Sequence, residues 1–231
     1  MKRFWKEVAA EQADGGFRVS LDGRPLRTPG GAAQVVPSRA LAEALAREWR
    51  AQGDEVDPRG FVLRDMADYA IDYVRPRRSE AIAKLLAYAE SDTLCYRADP
   101  DEPLFRRQQD LWEPLLAGFE ARRGVKLARV SGVIHRPQPA ETLERLRTEL
   151  ETRDDFALAA LSTLGSLAAS LVVALEALEP DADLPALFAA ANCEEDWQAG
   201  LWGWEPEAER QRAAKLAAFE KTAEFARLAR G

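Results

Sequence analysis

One histidine, His135, stands in 231 residues, with only two cysteines, Cys95 and Cys193. His135 has no second His or Cys at ligand spacing, which argues against a zinc or other transition-metal site. The cysteines are far apart and share neither a metal nor a redox spacing, so they read as reduced thiols of a cytosol-like compartment. No glycine-rich phosphate loop is present: Gly30-Gly31 precedes a short strand and lacks the Lys-Ser/Thr of a P-loop. Gly165-Ser166 does not make a nucleophile elbow and reads as mid-helix packing. There is no internal repeat, no low-complexity tract and no long linker. The N-terminus "MKRFWKEVAAEQADGG" lacks the apolar run of a secretory signal, and its acids Glu7, Glu11 and Asp14 make it a poor presequence.

Positive charge is missing from one long stretch. Between Asp154 and Glu209 no Lys or Arg occurs, while twelve acids do. The whole chain is at −7, so the rest of it is mildly basic. The overall sign argues against a general nucleic-acid binder, whose affinity rests on neutralising phosphates. A solvated acidic face explains the asymmetry, and so does steering of a partner. With 47% hydrophobic and 31% charged residues, the composition is that of an ordinary globular chain able to bury a core.

The first sixty residues read as mostly β. Phe17, Val19 and Leu21 alternate with polar residues, as in a half-buried strand. Asp22-Gly23 predicts a tight hairpin turn, and Pro25 places the return strand at an edge. Ala33 to Val36 is a further short strand. Ser38 caps a helix whose Leu41, Leu45 and Trp49 form one stripe toward the sheet. Phe61-Val62-Leu63 is a candidate for one more strand.

From Arg64 the pattern turns helical. A helix carries Met66, Ala70 and Val74 with Tyr69 and Tyr73, and Pro76 ends it; Ser79 caps the next. The segment from Pro103 holds Leu104, Gln108, Leu111, Trp112, Leu115, Leu116 and Phe119, with a kink expected at Pro114 and a stop at Gly124. Val125 to Ile134 alternates enough for a strand returning to the N-terminal sheet, and Pro139 to Thr152 is an amphipathic helix. Phe156 to Leu175 is uncharged for twenty residues, the length of a membrane span. Its serines, threonine, glycine and alanines, and the lack of basic residues between it and Glu209, favour a buried central helix instead. The expected fold is α+β in two parts: a small β-rich N-terminal domain, residues 1–63, and a larger all-α helical bundle, residues 64–231.

Chemistry is sparse. Asp65, Asp68 and Asp72 share a helical face, an arrangement that binds a hard cation or simply faces water. Arg75, Arg77 and Arg78 are placed to balance them. A carboxylate-lined cleft between the two domains, in an enzyme or ligand-binding protein, is the alternative reading. More telling is "EEDWQAGLWGWEPEAE", residues 194–209: Trp197, Trp202 and Trp204 sit among Glu194, Glu195, Asp196, Glu205, Glu207 and Glu209 with no base. Trp joins a large apolar surface to one N–H donor and is common where proteins grip each other. Of the three rings, at least one is expected in the core, and Trp204 is expected to be the most exposed. Trp5, Trp49 and Trp112 are assigned to packing.

Six stretches, taken in order, carry a resemblance. They are "RFWKEV" (3–8), "GGFRVSLDGRPLRTP" (15–29), "ALAREWRAQ" (44–52), "ESDTLCYRA" (90–98), "QQDLWEPLL" (108–116) and "EEDWQAGLWGWEPEAERQR" (194–212). At these spacings the chain resembles the assembly chaperone of the ATP synthase alpha subunit, over about residues 3–212. The resemblance implies a non-enzyme with no catalytic residue, cofactor or metal. It implies a monomer that binds the free alpha subunit and hands it to beta subunits, with no nucleotide driving the cycle. It places the functional acid among Glu194, Glu195 and Asp196, Glu194 first; the apolar contacts are expected, on the physical argument alone, from Trp202 and Trp197, with the exposed Trp204 beside them. A partner of nucleic acid, or a membrane span, is not expected. The Ala/Arg-rich composition points to a bacterial cytoplasm, or to the mitochondrial matrix if a presequence has been removed.

Overall fold

In the computed structural model, which describes residues 2–132 and 136–231, the chain is α+β with its larger sheet near the N-terminus. His135 lies outside the described residues. The chain divides into two compact units. The first takes the chain up to Ala81 with Asp154–Ala160 and Lys221–Gly231, and the second takes Ile82–Arg153 and Leu161–Glu220.

In the first unit β1 (Val8–Ala13) and β2 (Gly16–Leu21) form an antiparallel hairpin, and β2 also pairs with β3 (Arg24–Pro25) and β4 (Val35–Val36). The β2–β3 turn has Asp22 at φ 49° and Gly23 at φ 75°, the positive values a type I′ turn requires. The Asp22 carboxylate accepts from the Glu7 amide at 2.8 Å and the Lys6 amide at 3.0 Å, so the turn residue also secures the chain entering β1. Pro25 lies in β3, which among the described residues pairs with β2 alone, where a missing N–H costs no ladder bond. Helix α1 (Arg39–Arg50) starts at Ser38, whose Oγ accepts from the Leu41 amide at 3.0 Å. Its stripe of Leu41, Leu45 and Trp49 is buried, and Trp49 meets Trp5 edge-on at 4.9 Å and Phe61 at 4.5 Å.

Phe61-Val62-Leu63 does not form a strand. Helix α2 (Val62–Tyr69) begins there, because the Glu48 carboxylate accepts from the amides of Leu63 at 2.8 Å and Arg64 at 2.9 Å. A helix start leaves such amides without partners, and one carboxylate serves two of them. Nor does Pro76 end the helix. A π turn, Ala70–Val74, widens the backbone ahead of the proline, and a 3-10 turn, Arg75–Arg77, leads directly into α3 (Arg78–Glu90). Ser79 is therefore inside α3 and not its cap.

The second unit is helical around α4 (Pro103–Arg123), which packs against α7 (Leu171–Glu176), α8 (Leu184–Ala191) and α9 (Cys193–Trp202). Gly124, in the left-handed conformation at φ 63°, stops α4 where expected. The run after it is a correction. Of its described residues, up to Gly132, only Val130–Ser131 is a strand, β6, and it pairs in parallel with β5 (Tyr96–Arg97) instead of returning to the N-terminal sheet; Val133 and Ile134 lie outside the described residues. Side chains occupy its amides first: Glu120 accepts from Leu127 at 2.7 Å, Gln138 from Ala128 at 2.7 Å and Thr142 from Lys126 at 3.2 Å. A ladder cannot form through amides already bonded in this way. Helix α5 (Ala140–Glu151) follows, with Thr142, Leu146 and Leu150 buried.

The uncharged run also departs from one central helix. It divides into α6 (Asp155–Ala168) and α7, because Ala169 turns to φ 47° and Ser170 caps α7 through the Val173 amide at 3.0 Å. The buried carboxylate of Asp92 reinforces that break, accepting from Val172 at 3.0 Å and from Leu94 at 3.1 Å. Among the described residues no helix is long and apolar enough to cross a membrane. Helix α10 (Pro206–Arg230) ends the chain.

Two outcomes test this packing. Truncating Trp49 to Ala is expected to lower stability by about 3–5 kcal/mol in denaturant unfolding. Burial pushes the Asp92 carboxyl up to about 6 from 3.8, the hydrogen bonds it accepts opposing the shift only in part. An acid whose pKa is higher folded than unfolded stabilises fully below the unfolded value, and that contribution is lost as pH rises through the folded one. Relative to wild type, Asp92→Asn therefore gains stability from about pH 4 to about pH 6, read by urea titrations at each pH; a flat difference would contradict it.

Candidate functional site

The acid–tryptophan segment forms α9, the following turn and the first turns of α10. Cys193, Trp197 and Leu201 fall at i, i+4 and i+8 and line one groove with Leu111 and Arg107 of α4 and Ala189 of α8. The groove holds about 420 Å³. Its root is firm. Cys193 is buried, which pushes its thiol up to about 11. One turn earlier, Trp112 of α4 is fully buried and donates its indole N–H to the Ala190 carbonyl at 2.8 Å.

The three adjacent acids are held differently. Glu194 accepts from the buried Gln108 side chain at 2.9 Å, and the other end of that amide accepts from the Ala98 N–H at 2.8 Å. Asp196 takes a two-pronged bond from Arg212 at 3.0 and 2.8 Å, and the same guanidinium lies 4.2 Å from the Phe188 ring centre. Glu195 is exposed, and its carboxylate meets no partner among the described residues. Glu194 and Asp196 thus help position α9, while Glu195 is free to meet another molecule.

The rings are arranged otherwise than expected. None is in the core: Trp197 is half-buried, Trp202 is 79% exposed and Trp204 37%. Trp202, not Trp204, is the most exposed. Gly203 closes α9 at φ 86°, its N–H bonded to Ala199 at 2.7 Å, and the chain leaves before another helix can cover Trp202. Leu201, 59% exposed, was not among the sequence candidates. Its signal was the i, i+4, i+8 spacing from Cys193 through Trp197. Of the acids that follow, Glu207 pairs with Arg210, while Glu205 and Glu209 are exposed. Trp5, Trp49 and Trp112 are buried as assigned.

The aspartates of the alternative reading are engaged within the first unit. Asp72 accepts from the Thr28 hydroxyl at 2.7 Å and the Gly30 amide at 2.8 Å, fastening the loop before β4. Asp68 accepts from Gln34 at 2.5 Å, and burial pushes its carboxyl up to about 6. Asp65 pairs with Arg64 at 2.5 Å. Arg75 and Arg78 do not balance this trio: they bind Asp155 at 2.9 and 2.6 Å. Arg77 lies over the Tyr73 ring at 4.8 Å. No group of three or more His, Cys, Asp or Glu among the described residues is placed to hold a metal ion.

Comparison with known proteins gives a consistent answer. The family model described as "ATP12 chaperone protein" matches residues 2–120. The mitochondrial protein atp12 of Schizosaccharomyces pombe is 29% identical over 214 residues, covering 87% of this chain and 74% of its own. The crystal structure of Atp12 from Paracoccus denitrificans is 38% identical with a TM-score of 0.94, covering 99% of this chain and 98% of its own. An aspartate-to-lysine mutant of that protein matches equally well. The Atu1473 protein of Agrobacterium tumefaciens is 37% identical with a TM-score of 0.91, over 97% of this chain and 84% of its own.

The contrast between rings is measurable. Trp202→Ala is expected to change unfolding stability by no more than about 0.5 kcal/mol, whereas Trp112→Ala costs about 3–5 kcal/mol. Comparable losses at both positions would show that Trp202 packs.

Proposed function

Because the chain belongs to the ATP12 chaperone family, we propose that it binds the unassembled alpha subunit of the ATP synthase catalytic head, prevents its aggregation and hands it to beta subunits. The observation that carries the reading is the pair Leu201 and Trp202. Two large apolar side chains stand exposed side by side, next to the unpaired Glu195 and the exposed Glu194. A soluble protein that presents such a patch rimmed by charge is fitted to hold another protein.

An unassembled subunit exposes an apolar surface meant for its neighbour, and such surfaces aggregate. Leu201, Trp202 and the edge of Trp204 cover part of that surface. Trp197 supports them from the groove. Glu195 and the exposed side of Glu194, with Glu205 and Glu209 beyond, meet basic residues of the client and set its approach and register, while Asp196, held by Arg212, keeps α9 in place beneath them. Release needs no nucleotide, because a beta subunit buries more of the same surface and competes by mass action. The chain then works by binding alone, as a monomer without cofactor, where the catalytic head is built: a bacterial cytoplasm or the mitochondrial matrix.

Co-expression with the alpha subunit, beta absent, tests this directly. Soluble alpha is expected to depend on this chain, to co-purify with it and to leave when beta is added. Glu195→Lys is expected to slow association and reduce its salt dependence, and Trp202→Ala to weaken the complex by about 2 kcal/mol or more. Alpha that aggregates equally with and without the chain would refute the proposal; retention unchanged in both variants would refute this assignment of the contact residues.

A further inference from the structure

A second apolar surface adjoins the α9 edge. On α4, Leu111, Leu115 and Gly118 fall at i, i+4 and i+7, a stripe offset from the buried one of Gln108, Trp112, Leu116 and Phe119. Ala186, Leu187 and Ala190 of α8 form the facing wall, and together they bound a trough of about 600 Å³. Leu111 also lines the groove beneath Trp197 and Leu201, so the two hollows lie side by side along α4. From Arg107 to Arg122 the floor is about 22 Å of helix.

The wall is acidic. It comes from the stretch without Lys or Arg, and Glu179, Asp181 and Asp183 stand along it. Glu179 pairs with Arg123, and Asp183 caps α8 through the Ala186 amide at 3.0 Å. The Asp181 carboxylate has no partner among the described residues. Arg122 at the far end is neutralised by Glu176.

We infer that this trough seats an amphipathic helix of the client with Lys or Arg along one flank, beside the region gripped by α9; the inference rests on the chaperone reading above. The floor and wall are both helices with apolar residues at helical spacing, the geometry that receives a helix and not a strand, which needs a free sheet edge. Gly118 carries no side chain, so the incoming helix approaches closely. A basic flank matches Asp181 and its neighbours. A second copy of this chain does not: a two-fold contact would set the same acidic wall against itself.

Two full-length variants test the trough. At Gly118 an added Cβ meets only the mobile end of Arg122, 3.3 Å from Nη1, and leucine favours a helix over glycine, so Gly118→Leu fills the floor without harming the fold. Ala186→Arg adds bulk and the wrong charge at an exposed wall position. Thermal melts confirm that both fold. The probe is a fluorescein-labelled amphipathic peptide of about 15 residues, leucine on one face and lysine elsewhere, with a glutamate version as control. By anisotropy the lysine peptide is expected to bind wild type, to weaken with salt and to lose about tenfold or more to each variant; the glutamate peptide is expected not to bind. No binding to wild type, binding to both variants as tight as to wild type, or equal binding of the two peptides would overturn the trough. Co-expression with alpha separates the two proposals. If wild type holds alpha and both variants hold it undiminished, the trough is wrong and the chaperone reading stands. If wild type fails to hold alpha while the peptide results are as expected, the chaperone reading falls and the trough stands as a basic-helix site.

Discussion

The second unit depends on the dry face of α4. Gln108, Trp112, Leu116 and Phe119 are all without solvent exposure, and two of them are polar enough to need partners. Gln108 joins Ala98 to Glu194, and Trp112 reaches the Ala190 carbonyl. Buried polar groups are costly unless paired, so each bond fixes where the next helix can lie. These two set the start of α9. Asp196 and Arg212 then tie α9 to α10, and Leu201 and Trp202 are left outward. The exposure of the apolar pair is thus a consequence of how its root is fastened.

Charge follows the same logic within the unit. Glu120 and Glu176 are buried, yet each meets arginines: Arg129 for the first, Arg122 and Arg123 for the second. Bonds from Arg129, Lys126 and the Leu127 amide hold the Glu120 carboxyl below the usual range despite its burial. Burial dominates at Glu176 and raises its carboxyl. The basic residues that neutralise the interior come from α4 and the run after it. The stretch from Asp154 to Glu209 contributes none, and so its surface acids at Asp181, Glu195 and Glu205 stay uncompensated by neighbours in sequence. A lopsided sequence becomes a surface of one sign.

Much of the fold was legible because the signals were local. Asp22-Gly23 demands its turn, Ser38 its cap and Gly124 its stop, each through backbone stereochemistry that neighbours do not override. The errors arose where a distant side chain chose between two local options. Phe61-Val62-Leu63 suits strand or helix, and Glu48, fifteen residues away from Leu63, decides for the helix. The run after Gly124 alternates like a strand, but Glu120, Gln138 and Thr142 take its amides. Asp92 and Ser170 break the uncharged run that periodicity would leave whole. Of the site, the segment and its acids were legible from composition. Which ring stands out was not, because exposure of Trp202 depends on Gly203 and on the absence of anything packed above it.

A chaperone without fuel must hold its client firmly enough to prevent aggregation and loosely enough to lose it to the final partner. Area alone does not set that balance, since a few anchors carry most of the binding free energy. On the function proposed above, the exposed pair Leu201 and Trp202 supplies such anchors already facing outward. Its acids contribute more to the rate of encounter than to the depth of the bound state, because exposed charges are screened by salt. A surface built this way captures quickly and yields to a partner that buries more apolar area. Deeper burial of Trp202, or full pairing of Glu195 inside the chain, would stabilise the fold and remove the features by which, on the function proposed above, it holds a client.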